Sequence, residues 1–273
     1  MGKLQVVKIG SECAISNRVE YGRITDVCYS ITRMKYEEEV DTIVVASGAI
    51  RFGLLDEIKK GLRSPEELKN RPLDAKELQS LARLGQTHLM NFYAECFQRA
   101  NDRYMVDFNR PNSIAIAPTQ VLATYHNLEL KDEKPNTMEG ILRDARERYR
   151  VPLFNYNDGV DCSEVIRDND KPAAEIAVAV NADWLIMLGV VGGLLDADGK
   201  VIPEIREITA DIEVLCEKTS SNGTGGPKAR LEAARILRAS PKLIPLYWSS
   251  IDKGLEGALN GEGTVFVPLN TNI

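Results

Sequence analysis

The stretch Thr42–Ile50, TIVVASGAI, passes from strand grammar to helix grammar in one short run. Thr42–Ala46 is rich in β-branched residues and carries no charge, as a strand covered on both faces requires. Ser47 and Gly48 break that run, and Ala49 opens a helical pattern. A serine at such a junction is either an N-cap or part of an anion-binding helix start. The same sequence of events recurs along the chain. Strands are predicted at Gln5–Ile9, Thr42–Ala46, Ser113–Ala117, Val151–Asn155, Trp184–Leu188, Lys242–Leu246 and Thr264–Val267. Helical patterns fall near Arg18–Lys35, Leu73–Ala100, Met138–Tyr149, Ala173–Val180, Lys228–Ala239 and Asp252–Leu259. This alternation implies a three-layer α/β/α sandwich around a mostly parallel sheet of about eight strands. Lys60–Arg71 and Lys131–Asn136 are charged and proline-bearing, and are expected as loops or a flexible lid.

Composition narrows the function. The chain has 273 residues, 44% hydrophobic and 27% charged, which suits a single domain spanning residues 1–273. Its net charge of −6, with no basic block, argues against nucleic acid as the main partner. Cys13, Cys28, Cys96, Cys162 and Cys216 are scattered without metal or redox spacing, as expected of reduced thiols in a cytoplasmic protein. The only histidines, His88 and His126, form no metal-ligand cluster, so neither a zinc enzyme nor a serine–histidine hydrolase is expected. No window reaches transmembrane length.

Candidate chemistry gathers where strands should end, the usual ligand-binding edge of a parallel sheet. Lys8 lies inside the apolar run QVVKIG, just before Gly10 and Ser11. A buried lysine is expensive unless it faces a polar site, so a functional lysine is favoured over one snorkelling at an edge. Asn155-Tyr156-Asn157-Asp158 closes another strand, and Asp168-Asn169-Asp170 precedes a helix that one of its acids could cap. The segment Ser221–Glu232, SNGTGGPKARLE, is a glycine-rich turn entering a helix at Pro227. Bare N–H groups, a positive dipole end, and the cations Lys228 and Arg230 make it either a phosphate site or a plain glycine cap.

The motifs VVKIGS, IVVASGAI, LGQTHLM, PLFNYND, IRDND, GTGGPKARLEAARI and GEGTVF, in this order, resemble the amino acid kinase family and its glutamate 5-kinase branch. The resemblance implies a cytoplasmic, ATP- and Mg²⁺-dependent kinase. It would phosphorylate the side-chain carboxylate of L-glutamate, opening proline synthesis. By motif match, Lys8 and Asp170 are catalytic, with Lys228 or Arg230 as the moving cation. Ser47, Gly48, Ala49, Asn155, Asp158 and Asn169 would hold the amino acid. Lys8, Gly10, Gly189, Gly223, Thr224, Gly225, Gly226 and Lys228 would line the nucleotide. No protein-bound metal is implied. A homo-oligomer and glutamate-5-semialdehyde dehydrogenase are the implied partners, with no membrane or nucleic acid. The RNA-binding-like extra domain of many bacterial members is not expected here.

Three positions depart from the family pattern. Leu188-Gly189-Val190-Val191-Gly192-Gly193 stands where the family has a Thr-Asp pair after the Trp184 strand, so an aspartate becomes a valine; Tyr156 replaces a glutamate, and Arg230 takes the register of a catalytic lysine. Lys228 lies two positions earlier, roughly 200° around the helix. Its place in the first turn favours Lys228 narrowly as the catalytic cation. These departures keep open a second reading, a kinase-like amino-acid-binding protein with weak or no phosphoryl transfer. A carbamate, acetylglutamate or uridylate kinase is a weaker third.

Overall fold

The computed structural model describes residues 2–16, 18–64, 66, 73–123, 135–160, 169–218 and 226–267. In chain order these residues form β1 (Lys3–Ile9), α1 (Ser11–Ala14), α2 (Tyr21–Glu37), β2 (Val40–Ala46), α3 (Ala49–Lys59), α4 (Ala75–Asp107) and β3 (Ala117–Ala123). Then come α5 (Pro135–Glu147), β4 (Arg150–Tyr156), α6 (Asp170–Ala179), β5 (Trp184–Gly189), β6 (Glu204–Ile205) and α7 (Ala210–Lys218). The last are α8 (Pro227–Arg238), β7 (Leu246–Ser250), a 3-10 turn (Ile251–Lys253), α9 (Gly254–Leu259) and β8 (Thr264–Phe266).

The strands make one eight-stranded sheet in the order β3-β4-β2-β1-β5-β7-β8-β6. Every pairing is parallel except β7 with β8. The expected three-layer sandwich is therefore what forms. Period-two alternation sorts the side chains of the central strands. Val7, Ile9, Val44, Leu153, Ile186 and Leu188 enter one core, against α2, α3, α4 and α9. Leu4, Val6, Ile43, Val45, Phe154, Leu185, Met187 and Trp248 enter the other, against α5, α6, α7 and α8. With helices on both faces, β1, β2, β4 and β5 are buried almost throughout, which is why they read as unbroken apolar runs.

Two strands sit later than predicted. The strand expected at Ser113–Ala117 begins at Ala117, because the Asn101 side chain takes both backbone groups of Ile116. Pro118 lies inside the real strand, which it can do because β3 is the sheet edge. The strand expected at Lys242–Leu246 starts only at Leu246, after Leu243 turns left-handed (φ 53°) and Pro245 interrupts the run of N–H donors. The helix expected over Asp252–Leu259 divides into the 3-10 turn and α9. Helix α3 is the one that the Ser47–Ala49 junction opens, whereas α1, α7 and β6 lie outside the predicted stretches. Lys60–Ser64 follows α3 as a loop, while residues 65, 67–71 and 131–134 of the two expected loops lie outside the described residues; Pro135 and Asn136 belong to α5. Among the described residues, no helix is long and apolar enough to cross a membrane.

Candidate active site

Parallel pairing brings the carboxyl ends of β4, β2, β1, β5 and β7 to one edge of the sheet. Ile9 sits level with Ala46 and Leu188, and Gly189 with Ser250. Lys8 is an even-numbered residue of β1, so it shares a face with Leu4 and Val6 and points toward α6 and α8. There it forms an ion pair with Asp170, the first residue of α6, and both side chains are almost wholly buried. A carboxylate in the first turn of a helix also gains from the helix dipole. Arg230, in the first turn of α8, lies with its Nε 3.7 Å from the second oxygen of Asp170. Two cations thus converge on one carboxylate, and these three groups sum to one positive charge at the strand ends. Lys8 is accordingly a buried, ion-paired lysine and not a snorkelling edge residue.

Arg230 also stacks on Trp248 of β7, with its guanidinium carbon 4.3 Å from the ring centroid. A methyl group at Gly189 would come within 2.8 Å of its Nη2. Nearby, burial pushes the Cys13 thiol up to about 11, against the pull of Lys8 and Arg230. Of the two candidate cations, the structure sets Arg230 in the cluster and leaves Lys228 exposed on α8. Pro227 is indeed at the helix start, but it does not reset the register in favour of Lys228. With the helix phase fixed by Leu231, Ala234 and Leu237 in the core, position 230 faces the sheet and position 228 the solvent.

On the opposite face, α3 and α4 build a second group. Gly48 (φ 122°) is the N-cap of α3, so Ser47 precedes the cap instead of supplying it. Asn155, an odd-numbered residue of β4, points toward α4, where its Nδ2 donates to Gln86 Oε1 at 2.6 Å. Gln86 Nε2 is buried with no partner among the described residues. A cleft of about 390 Å³ opens beside them, lined by Gln86, Arg83, Gln120, Tyr156, Asn157 and Asp158, among others. Asn169 joins the two halves, as its Nδ2 donates to the carbonyl of Ala46 at 3.3 Å.

Most expected positions therefore meet at the strand-end edge. Gly10 departs in detail, because its N–H already donates to Leu188 O and is not offered to a ligand. Gly226 is the extended N-cap of α8. Gly223, Thr224, Gly225 and Asp168 lie outside the described residues, as do Cys162 and His126. Gln86 and Trp248 carried no expected role. The motif LGQTHLM contains Gln86, but a polar residue on a helix has no visible partner until the helix is docked. No group of three or more metal-ligating side chains occurs among the described residues.

The amino acid kinase family model matches residues 3–242. The glutamate 5-kinase of Corynebacterium diphtheriae is 32% identical over 272 residues, covering 96% of this chain and 65% of that protein. The glutamate 5-kinase of Carboxydothermus hydrogenoformans is 32% identical over 281 residues, with coverage of 96% and 67%. The chain thus spans about two thirds of the length of these curated relatives. Among solved structures, a carbamate kinase from Giardia lamblia bound to AMP-PNP superposes with a TM-score of 0.61 at 14% identity, covering 98% of this chain and 99% of that one.

Proposed function

The chain belongs to the amino acid kinase family, and on that premise we propose that it transfers the terminal phosphoryl group of ATP to the side-chain carboxylate of L-glutamate. The observation that carries the proposal is the buried Lys8–Asp170–Arg230 cluster at the carboxyl ends of the strands. A carboxylate nucleophile is already ionised at neutral pH, so no base is needed. One of its oxygens attacks the γ-phosphorus, the bond to the ADP oxygen breaks, and an acyl phosphate and ADP result. What the protein must supply is position and positive charge. Lys8 and Arg230 supply the charge, and Asp170 holds both cations where the phosphoryl group passes. The names of the relatives support glutamate as the acceptor.

The cleft beside Asn155 and Asp158 is the amino-acid side of this reading. Asp158 would pair with the ammonium group, and Asn155, which gives one Nδ2 hydrogen to Gln86, would offer the other to the amino acid's carboxylate. Ser47, Gly48 and Ala49, which follow β2, and Asn169, the N-cap of α6, would line the approach. Magnesium usually binds through substrate phosphates and one or two carboxylates. Here it would arrive with the nucleotide, held by the phosphates. The reading also carries proline synthesis in the cytoplasm, self-association, and glutamate-5-semialdehyde dehydrogenase as the consumer of a water-sensitive acyl phosphate.

One observation favours a second reading. Arg230 is held by stacking where the resemblance has a lysine, which suits a protein that binds both ligands but transfers phosphate weakly. Glutamate-dependent ADP release with Mg²⁺–ATP separates the two, with Lys8→Ala as control. Release that is abolished by Lys8→Ala supports the kinase. Binding of glutamate and nucleotide without ADP release supports the second reading.

A further inference from the structure

We propose that Trp248 and Gly189 form a seat for the Arg230 guanidinium and so are positioning residues for binding the nucleotide's terminal phosphate. This inference rests on reading the cluster as a phosphoryl-transfer site. The seat has a floor, a wall and an opening. Trp248 is the floor: its ring lies under the guanidinium at 4.3 Å. The platform is itself immobile, because Trp248 is 1% exposed, is laddered between Met187 and Thr264, and donates its Nε1 to Val191 O at 2.9 Å. Asp170 is the wall, 3.7 Å from Nε. The opening is at Gly189, where any side chain would begin 2.8 Å from Nη2.

The parity of the strands explains why these residues meet. Lys8, Gly189 and Trp248 all fall on the α8 face of β1, β5 and β7. An arginine kept only for stability would have its donors met by carbonyls or carboxylates. Here Nε is buried with no hydrogen-bond partner among the described residues, and the stacking partner consumes no donor. Stacking therefore fixes the plane of the fork without using its in-plane donors; Nε faces Asp170, and Nη2, beside Gly189, is the donor an anion would meet. A long side chain ordered before the ligand arrives also spares the ligand the entropy of ordering it.

The test is a double-mutant cycle read as affinity for Mg²⁺–AMP-PNP by titration calorimetry, with near-UV circular dichroism checking that each variant is folded. Trp248→Leu and Arg230→Ala should each weaken binding about tenfold, the scale of a desolvated cation–π contact. The double variant should be no weaker than Arg230→Ala alone, because Trp248 acts through Arg230. Gly189→Ala leaves the tryptophan packing untouched, and should weaken binding by a similar factor only while Arg230 is present. Additive losses in both cycles, or no loss from Gly189→Ala, would overturn the seat. Should AMP-PNP bind with the expected coupling while glutamate elicits no ADP release, the acceptor reading fails and the seat stands. Should ADP be released while the losses are additive, the seat fails and the acceptor reading stands. Absence of AMP-PNP binding sinks both.

Discussion

Replacing Gly85 with alanine should damage the protein more than its single added methyl suggests. An ideal Cβ at Gly85 would lie 1.7 Å from the carbonyl oxygen of Ala49, 2.5 Å from the nitrogen of Gly53 and 2.8 Å from the Ala49 carbonyl carbon. All three are backbone atoms of α3, so no rotamer change relieves the clash. The helices must part by more than an ångström. A gap of that size forfeits a quarter to a half of each dispersion well across the contact. Phe52, Leu81 and Leu89 are buried at or beside this crossing. At about 2 kcal/mol each for full burial, they would lose about 2 kcal/mol together. Overpacking strain adds about 1–3 kcal/mol. Gly85→Ala should therefore lower the unfolding free energy by about 3–5 kcal/mol, read as a shift in urea midpoint. Because Gln86 is the next residue and grips Asn155, the KM for glutamate should rise as well. Gly140→Ala on α5 is the control. Nothing lies within 4 Å of its Cβ, so it should stabilise by about 0.5–1 kcal/mol through helix propensity. A Gly85→Ala protein with the wild-type midpoint would refute the idea that backbone contact, and not sequence habit, holds glycine at this crossing.

Exposure of Lys228 and burial of Arg230 predict that Lys228→Ala keeps turnover within about threefold while Arg230→Ala loses about a hundredfold or more, on the scale of one lost charge-stabilising donor. The opposite ranking in side-by-side steady-state assays would restore Lys228 as the working cation. Asp158→Ala should raise the KM for glutamate at least about tenfold with kcat nearly unchanged, as expected for a contact made equally before and during transfer. An unchanged KM would reduce that segment to a turn. Burial pushes the Cys13 and Cys216 thiols up to about 11 and Cys96 to about 12, and holds Cys28 well above its ordinary value. At pH 8, therefore, about one thiol in a thousand is ionised at Cys13 and Cys216, and fewer still at the other two. Mapping of an Ellman reaction should find these four unlabelled in the native protein and labelled in urea, with the native rate rising toward pH 11. Rapid native labelling of any of them would contradict the packing.

The layer architecture was legible because a parallel sheet covered on both faces has to be written as bare apolar runs. Lys8 stood out for the same reason, as a charge in the middle of such a run. Strand ends were harder to place. The Ser113–Ile116 stretch has the right residues, but the side chain of Asn101, 15 positions before Ile116, claims its backbone. Arg230 was harder still. Helix position alone favoured the cation nearer the glycine turn, and only the docking of α8 by Leu231, Ala234 and Leu237 shows which one turns inward. Gln86 and Trp248 were invisible because their partners come from elements far apart in the chain. Gln86 meets a residue 69 positions away, and the peptide oxygen that anchors Trp248 is 57 positions away.

The alternation of side chains across the strands has a consequence for how such a protein can diverge. Lys8, Gly189, Trp248 and Arg230 lie on one face of the sheet, while Asn155 and Gln86 lie on the other. On the proposed reading, donor chemistry and acceptor choice are written on separate surfaces that meet at the strand ends, where Asn169 reaches the Ala46 carbonyl. A lineage can rebuild one surface, exchanging a lysine for a stacked arginine and a bulkier residue for glycine, without retuning the other. Substitutions would then be inherited in blocks that follow odd and even strand positions. Two of the chain's departures from the family pattern, at Gly189 and Arg230, lie together on the α8 face, and the third, Tyr156, lines the cleft beside Gln86.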